Sequence, residues 1–233
     1  MNANKKPNDK YISNAVIRRL PRYFRYLREI IRQGTLRISS KELSAKMNLT
    51  ASQIRQDLNC FGGFGQQGYG YNVNYLYSEI SHILGVDCCF NAIIVGMGNL
   101  GHALCANHLF EKRGVTIKGL FDNNPEIVGT QSNSLTVMHT DAMCDFCRDN
   151  KIDIAILTLP KSEAFDTAKM LSSAGIKGFW NFSNAEISFP NYVIAVENVH
   201  LGDSLMALCY QLAKAREKEN NAAENGSVSE KQV

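Results

Sequence analysis

Residues 90–101 read FNAIIVGMGNLG, and the fold class is decided there. An apolar run of strand length ends in a glycine, two further glycines complete the spacing GxGxxG, and a helical segment begins at once. In that setting Gly96 makes the tight turn and Gly98 lets the backbone approach a pyrophosphate. Gly101 lets helix and strand pack closely, while the N–H groups and dipole of the helix start favour negative charge. Gly96, Met97, Gly98, Asn99, Leu100 and Gly101 are therefore expected to cradle the phosphates of a dinucleotide. Asp122 closes the next strand, 21 residues beyond Gly101. A carboxylate there would accept hydrogen bonds from the adenosine ribose and repel a 2′-phosphate, so NAD(H) is expected rather than NADP(H). Thr158, Leu159 and Pro160, at the end of the strand DIAILT, complete the expected cofactor-binding set. Coenzyme A, another ligand of such sheets, stays open as an alternative.

The same rhythm continues outward from this loop. A helix over 99–113, the strand VTIKGLF, a turn at DNNPE, SLTVM, a helix over 140–150, DIAILT, a helix over 161–174, IKGFWNF and YVIAVE follow in turn. The strands are continuous in hydrophobicity, as a parallel sheet covered on both faces requires. This predicts an α/β fold, a doubly wound Rossmann-type parallel sheet. A last helix, about 202–215, carries Leu205, Leu208, Cys209 and Leu212 and is more apolar than a surface helix needs. From Arg216 onward apolar residues nearly vanish, which predicts disorder.

Upstream the pattern differs. From Ser13 to Gln33 the residues Ile17, Leu20, Phe24, Leu27 and Ile31 recur at helical spacing, with Pro21 tolerable at a helix start. Ser39 with Glu42 fits a capping box ahead of a helix that turns Leu43 and Met47 inward. Thr50 with Gln53 fits a second, opening a helix through Ile54 and Leu58. Two short helices around so tight a turn predict a helix-turn-helix. The glycine- and aromatic-rich FGGFGQQGYGYNV then reads as a hairpin, a wing beside it, followed by a helix over 74–84 with Leu76, Ile80 and Ile83 inward. On the second short helix Ser52, Gln53, Arg55 and Gln56 could reach base edges or phosphates. Lys41, Lys46 and the first-helix arginines would add phosphate contacts. Asp57 is unexpected on such a face and is read as pairing with a neighbouring arginine or capping.

Charge agrees with this division. Residues 1–80 hold 13 Lys/Arg against 5 Asp/Glu, and the remaining 153 hold 12 against 17. A basic first third on an acidic remainder suggests a polyanion-binding module attached to something else. No apolar stretch reaches membrane-span length, and the lysine-bearing start lacks the apolar segment of a signal peptide. A cytoplasmic chain is expected, its seven cysteines as thiols. Cys144 and Cys147 form a CxxC on an expected helix, without a second Cys or His pair at zinc spacing, so no metal site is expected. Cys88-Cys89 lies at the expected domain junction. No arrangement of Ser, His and carboxylates suggests hydrolysis, and no catalytic residue is expected.

RRLPRYFRYL, SSKELSAKMNLTASQIRQDL, FGGFGQQGYGYNV, GMGNLGHAL, GLFDNNPEIVG and AGIKGFWNF together resemble the Rex family of bacterial redox-sensing transcriptional repressors, over about Ile17 to Leu212. The resemblance implies a winged helix-turn-helix domain over 1–86 and a Rossmann NAD(H)-binding domain over 87–200. It also implies a domain-swapped helix over 201–216, with a disordered tail over 217–233. It further implies a homodimer on a palindromic operator, released when NADH binds, with NAD⁺ compatible with DNA. Against the family pattern, Gln56 and Gln67 stand where basic DNA-contacting residues are usual. Arg25 matches the first-helix arginine of the inter-domain switch. Its usual partners are replaced by Asn107 and His200, and Leu201 replaces an aromatic. The Arg25–carboxylate latch could not form through residue 200: either His200 responds to pH or Asp203 substitutes. Two other readings stay open: a DNA-binding regulator that binds NAD(H) without a redox response, and an NAD-dependent oxidoreductase with an appended nucleic-acid module.

Overall fold

The computed structural model describes residues 12–62, 65–66, 69–107, 110–190 and 193–229 of the chain. It divides into two compact units, Met1–Cys89 with Lys112–Gly114 and Phe90–Glu111 with Val115–Val233. The division thus falls at Cys89/Phe90 rather than at the expected 86/87.

In the first unit α1 (Asn14–Ile17) and α2 (Leu20–Arg32) replace the continuous helix read from 13 to 33. Proline has no N–H and a fixed φ, so a new helix starts around Pro21 instead of an old one passing through it. The restart rotates the apolar stripe. Ile17 is left 45% exposed, and Ile30 enters the core with Leu20, Tyr23, Phe24 and Leu27, while Ile31 packs half-buried against them. β1 (Arg37–Ile38) leads into α3 (Ser40–Met47), whose capping box is complete: Ser39 Oγ accepts from the Glu42 N–H and Glu42 Oε2 accepts from the Ser39 N–H. Asn48, in the left-handed region, turns the chain into α4 (Ala51–Asn59), capped by Thr50 Oγ1 accepting from the Gln53 N–H. The hairpin β2 (Gly65–Gln66) and β3 (Gly70–Asn72) joins β1 in a three-stranded sheet of order β1-β3-β2. α5 (Val73–Ile83) lays Leu76 and Ile80 on the common core, while Ile83, expected inward, stays 37% exposed near the helix end.

The second unit contains β4 (Phe90–Val95), α6 (Asn99–Cys105), β5 (Val115–Asp122), β6 (Gln131–Ser132), β7 (Leu135–His139), α7 (Met143–Asp149) and β8 (Ile154–Leu157). These are followed by α8 (Lys161–Ser173), β9 (Gly178–Asn181), β10 (Ala195–Asn198) and α9 (Leu201–Ser229). Its seven strands run in the order β10-β9-β8-β4-β5-β7-β6 and are parallel except for β6, which pairs antiparallel with β7. Side chains alternate across the sheet: Ile93 and Val95 enter one core cluster with Leu157 and Leu171, while Ile94 enters another with Leu120 and Ile156.

Two expectations for this unit are corrected. The helix read over 99–113 ends at Cys105, because the Asn107 N–H bonds the carbonyl only three residues back, on Leu104, and tightens the chain into turns. Among the described residues of this stretch, helical structure returns as a 3₁₀ turn at Glu111–Arg113. The tail read as disordered from 217 is helical through Ser229. Its Ala, Glu and Lys favour helix without supplying apolar area, and Lys214 Nζ lies 2.8 Å from Glu217 Oε2.

Candidate functional site

β4 lies between β5 and β8, so successive crossovers leave it in opposite directions and a crevice opens beyond the carboxyl ends of β4 and β8. A cleft of about 510 Å³ occupies this place. It is bordered by Val95, Gly96 and Gly98; by Asp122, Asn123, Asn124 and Ile127; by Thr140 and Met143; and by Thr158, Leu159, Pro160, Glu163, Thr167 and Met170. Of the expected cofactor-binding residues, Gly96, Gly98, Asp122, Thr158, Leu159 and Pro160 meet here. Met97, Asn99, Leu100 and Gly101 do not border the cleft and shape the loop behind it.

Each glycine of the loop has a separate steric reason. Gly96 has φ +97°, and a Cβ on it would sit 2.7 Å from the Thr158 carbonyl oxygen. A Cβ on Gly101 would come 2.1 Å from the Gly96 carbonyl oxygen, which is the close helix–strand contact read from the spacing. At Gly98 a Cβ would meet nothing within 4 Å. That missing side chain serves no packing within the protein and leaves open space facing the cleft, which is what a ligand held by backbone N–H groups requires.

Asp122 is 8% exposed and already engaged. Its Oδ2 accepts from the Met97 N–H at 2.6 Å and its Oδ1 from the Asn124 N–H at 2.8 Å. The carboxylate therefore ties the glycine loop to the chain after β5. Each of its oxygens retains acceptor capacity toward the cleft. Thr158 supplies a second strap, its hydroxyl lying 2.6 Å from the Gly96 carbonyl oxygen. The Met97 side chain is fully buried with Ile94 and Leu120, and its N–H is spent on Asp122. No Lys, Arg or His is among the described residues bordering the cleft, whereas two carboxylates, Asp122 and Glu163, are.

On the helix-turn-helix, Lys41, Lys46, Ser52, Arg55 and Gln56 are exposed, and Arg55 Nη1 donates to Ser40 Oγ at 3.2 Å. Gln67 lies outside the described residues. Gln53 is half-buried, its Nε2 donating to Asp57 Oδ1 at 2.9 Å, so the second capping box is only half formed. Asp57, fully buried, is paired with an arginine as read. Arg19 Nε and Nη2 reach its two oxygens at 2.7 Å each, and the Tyr23 hydroxyl donates at 3.0 Å. Burial pushes this carboxyl up, but the hydrogen bonds from Arg19, Gln53 and Tyr23 outweigh it, and Asp57 sits below the usual carboxylate range. Tyr23 is displaced upward by burial and by the same carboxylate. The network fastens α4 to the corner between α1 and α2.

The expected switch residues lie in both units. Arg25 is exposed on α2. Asn107 follows α6 and borders a small cavity of about 140 Å³ with Cys105 and Asn133. His200, which was to replace a latch carboxylate, is already paired: its Nε2 lies 2.7 Å from Glu186 Oε1, and Glu186 Oε2 accepts from Asn198 Nδ2 at 3.1 Å. Asp203 is exposed in the first turn of α9, its N–H bonded to the His200 carbonyl. Burial pushes the Cys147 thiol up to about 12, and no group of three potential metal ligands forms among the described residues. No described helix is long and apolar enough to cross a membrane.

Asn123, Asn124, Ile127, Thr140, Met143, Glu163, Thr167 and Met170 were missed as cleft residues. The first three sit in the turn DNNPEI directly after Asp122 and could have been found from it. The others come from helices that only the sheet order brings to the crevice.

A helix-turn-helix unit with a wing, followed by a Rossmann sheet with a glycine-loop cleft, defines the class of two-domain, nucleotide-cleft DNA-binding regulators. Residues 11–59 match a family model described as a DNA-binding protein N-terminus, and residues 90–185 match one described as a CoA binding domain. The chain is 55% identical over 201 residues to the redox-sensing transcriptional repressor Rex of Thermoanaerobacter sp. (strain X514), covering 86% of this chain and 89% of that one. With Rex of Clostridioides difficile (strain 630) it is 50% identical over 208 residues, covering 89% and 99%. RSP, a Rex-family repressor solved with β-NAD⁺ and operator DNA, superposes with a TM-score of 0.84 at 50% identity, covering 93% of this chain and 99% of that one. RSP with β-NADH gives 0.83 at 48%, covering 91% and 99%. The chain belongs to the Rex family of redox-sensing transcriptional repressors.

Proposed function

We propose that this protein is a homodimeric, cytoplasmic transcriptional repressor that senses the NADH/NAD⁺ balance, NADH releasing it from a palindromic operator. One observation carries the reading. A glycine loop strapped by Asp122 and Thr158 leaves an open position at Gly98, in a chain half identical to a repressor solved both with NAD⁺ on operator DNA and with NADH. In this assignment Gly96 and Gly98, which border the cleft at the start of α6, receive the pyrophosphate, with Asn99 and Leu100 behind them. Met97 and Gly101 set the loop's shape, Asp122 receives the ribose, and Thr158, Leu159 and Pro160 form the opposite wall.

The family model named for coenzyme A covers the same sheet. The cleft favours NAD(H): it is bordered by two carboxylates and no cation among its described residues, so a 2′- or 3′-phosphate on the ribose would find no counter-charge.

On the operator, Arg55, Gln56 and Ser52 would face the major groove, with Gln53 contributing what its bond to Asp57 leaves over, and Gln67 on the wing. Lys41 and Lys46 would hold phosphates. Leu201, Leu205, Met206, Leu208, Tyr210 and Leu212 of α9 are 49–65% exposed, an apolar length that supports exchange of this helix with a second copy. The ligand acts by differential affinity for two arrangements of the dimer. Moving a population from 1:99 to 99:1 takes about 5.5 kcal/mol of such preference. The role is regulatory and needs no catalytic residue.

Gel-shift titration on a palindromic duplex selected by the protein from a random pool tests the reading. Micromolar NADH should dissolve the complex while NAD⁺ leaves it intact; a complex indifferent to both refutes redox sensing. A second reading, DNA binding without a redox response, draws on Asn107 and on the His200–Glu186 pair, which occupies the residue at the expected latch position. It predicts calorimetric NADH binding with an unchanged gel shift.

A further inference from the structure

The first unit displays an arginine that neither the helix-turn-helix nor the switch uses. Arg37 on β1 is exposed, yet its guanidinium is held: Nη1 donates to the Tyr69 carbonyl at 3.2 Å, and the group lies 6.0 Å from the centroid of the Tyr69 ring. The backbone fixes this meeting. Ile38 pairs with Tyr71 across the sheet, and Gly70, at φ +69°, brings its chain so close that a Cβ would sit 2.7 Å from the Ile38 carbonyl oxygen. Tyr69, 70% exposed, directly precedes Gly70 at that strand contact.

Of the other arginines of this unit, Arg19 is neutralised by Asp57, while Arg22 Nη2, like Arg37, donates to a carbonyl that leaves its charge intact, that of Met47 at 2.5 Å. Arg37 is held by a carbonyl and a ring, neither of which cancels its charge, and among the described residues no carboxylate pairs with it. A guanidinium ordered in advance, with further N–H donors facing outward, suits a phosphate oxygen and loses little entropy on contact. Only three peptide links separate Arg37 from Ser40, whose hydroxyl holds Arg55, so the Cα atoms of Arg37 and Ser40 lie within about 11 Å.

We propose that Arg37, pinned over Tyr69 at the root of the wing, is a DNA-backbone contact gripping the phosphates that flank the groove entered by α4. The inference rests on the DNA-binding reading above, and its test separates the two. Full-length wild type, Arg37→Gln, Arg37→Lys, Arg55→Gln and Tyr69→Ala are titrated by fluorescence anisotropy against the selected palindrome and a scrambled duplex from 50 to 300 mM KCl (roughly 50–300 mM, the range over which counterion release is read).

Arg37→Gln should weaken both duplexes alike, on the order of tenfold at the low-salt end, and flatten the log–log salt slope by about 0.9 per half-site. Arg37→Lys should restore the slope. Tyr69→Ala should weaken binding in the wild-type background, and a double variant carrying Arg37→Gln and Tyr69→Ala should bind no more weakly than Arg37→Gln alone. Unchanged affinity and slope in Arg37→Gln, with Arg55→Gln impaired, overturns the proposal while the DNA-binding reading stands. An affinity loss with an unchanged slope and a lowered unfolding midpoint also overturns it, because Arg37 then only props the wing. Failure of the wild type to bind either duplex removes the DNA-binding reading itself.

Discussion

Replacing Asp57 with alanine should destabilise the first unit sharply and leave the second untouched. The carboxylate accepts four hydrogen bonds, two from Arg19 and one each from Tyr23 and Gln53. Its loss strands the Tyr23 hydroxyl, on a fully buried residue, at a cost of about 1–3 kcal/mol. Removing one partner of a buried ion pair costs about 3–5 kcal/mol, but the Arg19 side chain is 27% exposed and can partly rehydrate. Alanine also returns a few tenths of a kcal/mol of helix propensity, so the net expectation is about 2–4 kcal/mol.

Urea unfolding followed by far-ultraviolet circular dichroism measures this loss. Trp180, the only tryptophan, lies in β9 and reports the second unit separately, and its midpoint should not move. Combining Asp57→Ala with Arg19→Ala should cost about 1–3 kcal/mol less than the sum of the single changes. A loss under about 0.5 kcal/mol, or strict additivity, would refute the network argument. The pH dependence follows in sign. A folded-state carboxyl held below its unfolded value adds stability that is complete above the ordinary carboxyl range, around pH 4, and lost as pH falls through the folded value. The wild-type first unit should therefore weaken on acidification more steeply than Asp57→Ala.

Gly98→Ala and Gly101→Ala should part company. The first places its methyl in open space and should keep the unfolding midpoint within about 0.5 kcal/mol while NADH affinity falls at least about tenfold. The second collides with the Gly96 carbonyl and should lower both. Asp122→Ala should weaken NADH binding by about 1–3 kcal/mol in calorimetry, the scale of losing charge-assisted hydrogen bonds; unchanged affinity rejects the ribose assignment. Cys147, buried and with its thiol pushed up to about 12, should resist iodoacetamide at pH 8 in the folded protein while the exposed Cys60, Cys88 and Cys89 react, as peptide mass mapping would read. Leu208→Asp on α9 should convert a dimer to a monomer in sedimentation, and an unchanged mass would discard the helix-exchange proposal.

Local rules made much of the molecule legible. GMGNLG after NAIIV, with Asp122 closing the next strand, identified the sheet and the crevice because the glycine spacing, the close Gly101–Gly96 approach and the open position at Gly98 belong to one short loop at a strand end. Ser39 with Glu42 and Thr50 with Gln53 marked both starts of the helix-turn-helix for the same reason: caps involve groups three residues apart. Asp57 stood out as a charge on the wrong face, and its arginine partner is there.

What the linear chain left undecided involves groups far apart in it. Pro21 allowed a helix start, but only packing showed that Ile30 is buried outright and Ile31 only in part. Nearer at hand, Gln53 looked free to read DNA although Asp57, one turn along, takes its amide; His200 looked free for a latch until Glu186, 14 residues back, took it. Glu163, Thr167 and Met170 became cleft walls only when β8 was laid beside β4, and Thr140 and Met143 only when β7 was laid beside β5. Periodicity and capping act within a turn or two of backbone and can be read in order. Which side chain spends its donors on which acceptor is settled by the crossovers of the sheet and the meeting of Asp57 on α4 with Arg19 and Tyr23, and those exist only once the chain has closed on itself.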